Sequence, residues 1–236
     1  MRSPAWVRSS RGGRSHSRGT ETYSGLVLLL SDPRLLEIPV EDTGEPLIDL
    51  TDVSDLRIDD RKADPEGAWR RLRRKVAERL LIARRALPDR FDLLFIEGYR
   101  PTGLQSQYFS EYLSHLMAQD PGLSEHAARI EASKYISPVE VAPHPCGAAV
   151  DLTLTENGIE VDMGTPVNQT PEDSAGACVM SAENISPGAR RARQILTEAM
   201  DAAGFVNYEP EWWHWSYGDR IWAARTDAPS ALYAPL

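Results

Sequence analysis

The longest periodic signal in the chain runs from Asp64 to Leu87, where Trp69, Leu72, Val76, Leu80, Ala83 and Leu87 recur at spacings of three and four. Apolar residues so spaced form one stripe on a helix, and Pro65 and Pro88 stand where a first turn and a stop belong. The pattern predicts an amphipathic helix over 64–87, with the run Arg70, Arg71, Arg73, Arg74 and Lys75 mostly off the stripe, on a solvated face. Phe91 to Glu97 is a compact apolar run before Gly98 and predicts a buried strand ending at a turn. Leu104, Tyr108, Tyr112, Leu113 and Leu116 mark the inner face of a second helix over 103–117, and a third is expected around 124–135.

At Gly147 to Leu154 the period changes to two. Val150, Leu152 and Leu154 face one way, and Ala149, Asp151 and Thr153 the other, which presents a carboxylate opposite the aliphatic face. Asn157-Gly158 then predicts a hairpin into Ile159 to Met163, because both residues tolerate the positive φ of a tight turn. Residues 166–186 are polar and irregular. Ser186 and Pro187 make a cap and first turn for a helix carrying Ala192, Ile195, Leu196, Ala199 and Met200, which Gly204 ends. The aromatic stretch Phe205 to Tyr217 is expected to be extended. Together these elements predict an α+β fold: a single domain with a small, mostly antiparallel sheet packed by helices.

A length of 236 residues with 42% hydrophobic content suits one domain and one core. A formal charge of −9 argues against a nucleic-acid partner, since phosphate binding needs an excess of Lys and Arg. The two cysteines, Cys146 and Cys178, are too few for a disulfide scaffold or a Cys-rich zinc site, so any metal must rest on His and carboxylates. Residues 1–22 are basic and rich in Ser and Gly, with no apolar segment long enough for a signal or a membrane span. They are expected to form a disordered tail ahead of a domain over 23–236, in a cytoplasmic enzyme without a membrane partner.

Three segments hold the residue types of a hydrolytic metal site: Glu97-Gly98-Tyr99-Arg100-Pro101, then His144 through Asp151, then Glu211-Trp212-Trp213-His214. A catalytic zinc takes three protein ligands and keeps one position open, and His144, Asp151 and His214 supply such a set. A nearby carboxylate must move protons, and Glu211 is the candidate, although spacing alone does not separate a base from a fourth ligand. An extended backbone would aim residues 211 and 214 to opposite sides unless a twist or bulge intervenes. Arg100, just after a strand and a Gly turn, is placed either to stabilise an oxyanion or to form an ordinary salt bridge. Cys146 reads as a small buried filler in preference to a labile thiol or an extra ligand, and Trp212 and Trp213 as core and pocket wall.

These segments resemble the vancomycin-resistance type of D-alanyl-D-alanine dipeptidase, a branch of the zinc peptidases that also includes peptidoglycan D,D- and L,D-carboxypeptidases. The resemblance is carried by His144, Gly147, Asp151, Glu211 and His214, and by Glu97 to Pro101, Asp151 to Leu154 and Met163-Gly164-Thr165; in element order it covers residues 25 to 220. It implies one zinc per chain on His144, Asp151 and His214, with Glu211 as general base and Arg100 stabilising the transition state. Asn168, Tyr99 and Trp213 are the implied substrate contacts. Two departures stand out: Ala142-Pro143 replaces a common Ser before the histidine, and Asn168 replaces an Asp that in the family helps hold the substrate ammonium. The expected activity is hydrolysis of D-Ala-D-Ala or of a related small dipeptide, common or unusual. A muropeptide carboxypeptidase and a catalytically silent zinc-binding module are the alternatives.

Overall fold

The computed structural model describes residues 28–236 apart from 31, 54, 134, 135 and 172, so the tail expected over residues 1–22 lies outside the described residues. The first half of the chain contains α1 (Arg34–Glu37), β1 (Leu47–Asp49), α2 (Leu50–Val53), β2 (Arg57–Ile58), β3 (Arg71–Arg73), α3 (Arg74–Ala86) and β4 (Phe91–Glu97). Helices α4 (Thr102–Gln119) and α5 (Glu125–Ala132) follow, then β5 (Ala149–Glu156), β6 (Ile159–Glu160), α6 (Pro187–Ala202), β7 (Val206–Asn207), β8 (His214–Ser216) and α7 (Arg220–Arg225). The main sheet has the order β2-β4-β5-β8-β7, with β6 paired to β5. Strand β2 runs parallel to β4, and every other neighbour in that sheet is antiparallel. This is the predicted α+β architecture.

Alternation along β5 sets the two sides of the sheet. Val150, Leu152 and Leu154 join Leu93 and Phe95 of β4, Val76, Leu80 and Ala83 of α3, and Ala192, Ile195, Leu196, Ala199 and Met200 of α6 in one buried cluster. Each such aliphatic side chain contributes about 1.5–3 kcal/mol on burial, which fixes the register of β5 and leaves Asp151 on the other face. The Asn157-Gly158 turn behaves as expected, with φ of 51° and 85° between the paired residues Glu156 and Ile159. Ser186 caps α6 by accepting from the Ala189 N–H at 3.0 Å.

Three expectations are corrected. The helix over 64–87 begins only at Arg74: Asp64 accepts the N–H groups of Glu66, Ala68 and Trp69 to close a turn, and β3 is drawn into an antiparallel pair with β1. Arg73 accordingly leaves the solvated face; it is 2% exposed and donates to the carbonyls of Cys146, Glu45 and Ala234. Helix α4 buries Gln105 and Phe109 rather than its Leu and Tyr stripe. Finally, Phe205 to Tyr217 is not one extended run but the hairpin-like pair β7 and β8, with a compact turn between them. Among the described residues no helix is long and apolar enough to cross a membrane.

Candidate metal centre

Three adjacent strands present the site. In register, Glu97 of β4 lies opposite Asp151 of β5, and Asp151 lies opposite His214 of β8. The β4–β5 pairing slips between Phe95 and Glu97, and that irregularity brings Glu97 beside Asp151. His144 arrives from a 3₁₀ turn, His144–Cys146, that leads into β5 through Gly147 at φ 66°. A Cβ at 147 would stand 2.5 Å from Leu47 Cδ2, so a larger residue would have to displace that side chain as well as hold a positive φ.

A ring nitrogen of His144, a carboxylate oxygen of Asp151 and a ring nitrogen of His214 lie within 4.8 Å of one another, all buried. Asp151 Oδ1 is 3.0 Å from His214 Nδ1 and 3.4 Å from His144 Nε2. Donors bonded at about 2.0–2.1 Å to a tetrahedral ion stand roughly 3.3 Å apart, so this spacing fits a metal with one position left open. His144 Nδ1 donates to the Gly98 carbonyl at 2.7 Å, which orients the ring and leaves Nε2 free for a metal. Burial alone would raise the Asp151 carboxyl, but the His144 and His214 imidazoles beside it hold it far below the usual carboxylate range. An ionised carboxylate between two imidazoles is the donor set a dication needs.

Glu211 avoids the side-switching expected of an extended strand because residues 208–213 form a turn. The His214 N–H donates to the Glu211 carbonyl at 3.1 Å, and Asn207 Nδ2 donates to the carbonyls of Glu211 and His214 at 3.0 and 2.9 Å. Glu211 Oε2 consequently stands 3.9 Å from His214 Nδ1, outside the buried trio but beside it. Burial pushes its carboxyl up to about 7, partly opposed by His214. Arg100 pairs with Glu97, its Nε and Nη2 each donating at 2.7 Å, while Nη1 donates to Gln105 Oε1 at 2.8 Å. It thus forms a salt bridge and also faces the site.

These groups open onto a cavity of about 320 Å³ lined by Arg100, His144, Asp151, Asn168, Glu211, Trp213 and His214. That is the low end of the range for small-ligand pockets. Tyr99 is not among the lining residues; its N–H donates to the Arg71 carbonyl. Lys62, Gln105, Tyr108 and Tyr112 also line the cavity, and sequence reasoning missed them as site residues. Lys62 carried no motif, and Tyr108 and Tyr112 read as core positions of a helix stripe. Cys146 is buried, its thiol pushed up by burial and directed at the Ala142 carbonyl at 3.5 Å, in keeping with a filler role.

The sequence profile of the D-ala-D-ala dipeptidase family matches residues 61–229. A D-alanyl-D-alanine dipeptidase of Synechocystis sp. is 32% identical over 80% of this chain and 88% of its own length. A D-alanyl-D-alanine dipeptidase of Enterococcus faecium is 30% identical over 61% of this chain and 72% of its own. Among solved structures, the LdcB LD-carboxypeptidase has a TM-score of 0.47 at 19% identity, covering 80% of this chain and 76% of that one.

Proposed function

This chain belongs to the D-ala-D-ala dipeptidase family of zinc metallopeptidases, and from that premise we propose that it hydrolyses a small dipeptide, D-Ala-D-Ala or a close relative, with one zinc per chain. The observation that carries the reading is the convergence of His144, Asp151 and His214 beside Glu211 at one cavity of dipeptide scale. Zinc held by those three side chains would polarise the scissile carbonyl and acidify a water for attack. Glu211 then accepts the proton at its carboxylate and returns it to the leaving amine. Arg100, oriented by Glu97 and Gln105, lines the same cavity and would stabilise the oxygen on which negative charge develops. Trp213 walls the cavity and excludes water. Release of amine from D,D-, L,D- and L,L-dipeptides by the zinc-loaded protein tests the reading, and inertness toward all three classes would overturn it.

The cavity wall makes two predictions about the ends of the substrate. Asn168 has φ 66°, a left-handed conformation that Asp also tolerates, so Asn168→Asp changes charge without new backbone strain. A carboxylate there should hold a substrate ammonium about 1–2 kcal/mol better than the amide does, because charged hydrogen bonds are the stronger class. Steady-state kinetics of Asn168→Asp should therefore show kcat/KM for D-Ala-D-Ala raised about tenfold. No change would remove position 168 from amine recognition. Lys62 also lines the cavity and has no hydrogen-bond or ion-pair partner among the described residues, which makes it a cation available to a substrate carboxylate. Lys62→Gln should raise KM roughly tenfold for the free dipeptide and leave KM for its C-terminal amide unchanged.

A further inference from the structure

The side chain of Arg193 is 2% exposed and meets no carboxylate at ion-pair distance among the described residues. Its donors go instead to backbone carbonyls: Nε to Met163 at 2.9 Å, Nη2 to Ala177 at 2.7 Å, and Nη1 to Val179 at 2.6 Å and Met180 at 3.4 Å. Met163 lies before the irregular segment that lines the cavity with Asn168, Gln169, Thr170 and Pro171, and the other three lie after it. One guanidinium on the rigid helix α6 thus grips both ends of that segment. Its Cζ also lies over the ring of Trp212, 5.6 Å from the centroid, and Trp212 is the residue after Glu211. Trp212 in turn donates its ring N–H to Thr165 Oγ1 at 2.8 Å and its backbone N–H to the Cys178 carbonyl at 3.0 Å.

Placing a cation among neutral acceptors is a poor way to gain stability, since desolvation is only partly offset by carbonyl dipoles. Burial accordingly pulls the Arg193 guanidinium down to about 10. What the arrangement provides is geometry: a planar fork fixes four carbonyls relative to one another, which a lysine ammonium with a single donor atom does not. We propose that Arg193 is a positioning residue for substrate binding, which holds the wall Asn168–Pro171 in register with Glu211 and thereby sets KM. The proposal rests on the reading that this cavity binds the dipeptide.

The test compares zinc-loaded wild type with Arg193→Lys and with Thr165→Val, which cuts a different tie between the same segment and Trp212. Arg193→Lys should raise KM for D-Ala-D-Ala tenfold or more with kcat changed less than about threefold, and Thr165→Val should raise KM about threefold. Zinc content should stay at the wild-type level in both. Hydrogen exchange of amides 164–176, read without substrate, should be at least tenfold faster in Arg193→Lys. Wild-type exchange rates in Arg193→Lys, or faster exchange with unchanged KM in both variants, would overturn the proposal. A thermal shift alone, with KM intact, would reduce Arg193 to a structural role. If wild type turns over none of the D,D-, L,D- and L,L-dipeptides while exchange in Arg193→Lys is faster as expected, the functional reading fails and takes the KM role of Arg193 with it, leaving only its hold on the segment.

Discussion

Glu211→Gln should retain zinc and lose turnover by about a hundredfold to ten-thousandfold, the range over which a positioned general base accelerates a reaction. The amide keeps the shape of the side chain 3.9 Å from His214 but cannot accept the proton. Retained zinc with lost kcat identifies a base, lost zinc a ligand, and near-normal kcat neither. A pH profile adds a second readout. In the metal-stripped protein burial pushes the carboxyl up to about 7, and a bound dication beside it would pull that value down. Only the ionised form is a base, so kcat should fall as pH drops through a value below 7, and that limb should be absent from the residual activity of Glu211→Gln. Stability should move the opposite way. A carboxyl raised from 4.5 to about 7 on folding costs stability as pH rises through that window, and the deficit is complete above it. Metal-stripped Glu211→Gln should therefore melt at a higher temperature than stripped wild type at pH 8, and at a similar one at pH 4.

How far the site could be read beforehand depended on how local its causes are. The spacing from His144 to Asp151 was legible because seven residues contain the whole device: a short turn, the glycine that Leu47 packs against, and a two-faced strand. The relation of Glu211 to His214 was not, because the turn that brings them to one side is laced by the Asn207 amide, and hydrogen-bond partners of an amide are not written in its neighbours. A salt bridge was one of the two roles expected of Arg100, but its partners were not legible, because they depend on a slipped register at Glu97 and on Gln105 from α4. Lys62 reaches the cavity from a turn more than eighty residues before His144. The over-long helix at 64–87 failed for a related reason. Its stripe is genuine from Val76 to Ala83, but Leu72 is claimed by a strand pair with β1 that only the tertiary fold makes available.

Replacing His144 with alanine should remove most of the zinc, with affinity reduced well beyond the roughly tenfold to hundredfold typical of losing a partner one shell out. The reasoning starts from the buried carboxylate. Two imidazoles facing Asp151 favour its ionised form, and removal of His144 deletes one of those two partners together with a proposed metal donor. Stripped His144→Ala should therefore hold Asp151 with a higher pKa than stripped wild type, and protons then compete with metal for its oxygen. The Gly98 carbonyl also loses the donor that met it at 2.7 Å, at a cost of about 1–3 kcal/mol if no water replaces it. Asp151→Asn separates these effects, since it leaves His144 and its bond to Gly98 in place while removing the anionic ligand. Both variants should lose zinc, and both should lose the rise in melting temperature that added zinc gives wild type, a stabilisation of about 2.7 kcal/mol at a hundredfold excess over Kd. The two should differ in the stripped state, where His144→Ala is the less stable. A full equivalent of zinc in folded His144→Ala, measured by metal analysis after dialysis, would remove residue 144 from the ligand set and leave Asp151, His214 and Glu211 as the metal-binding residues.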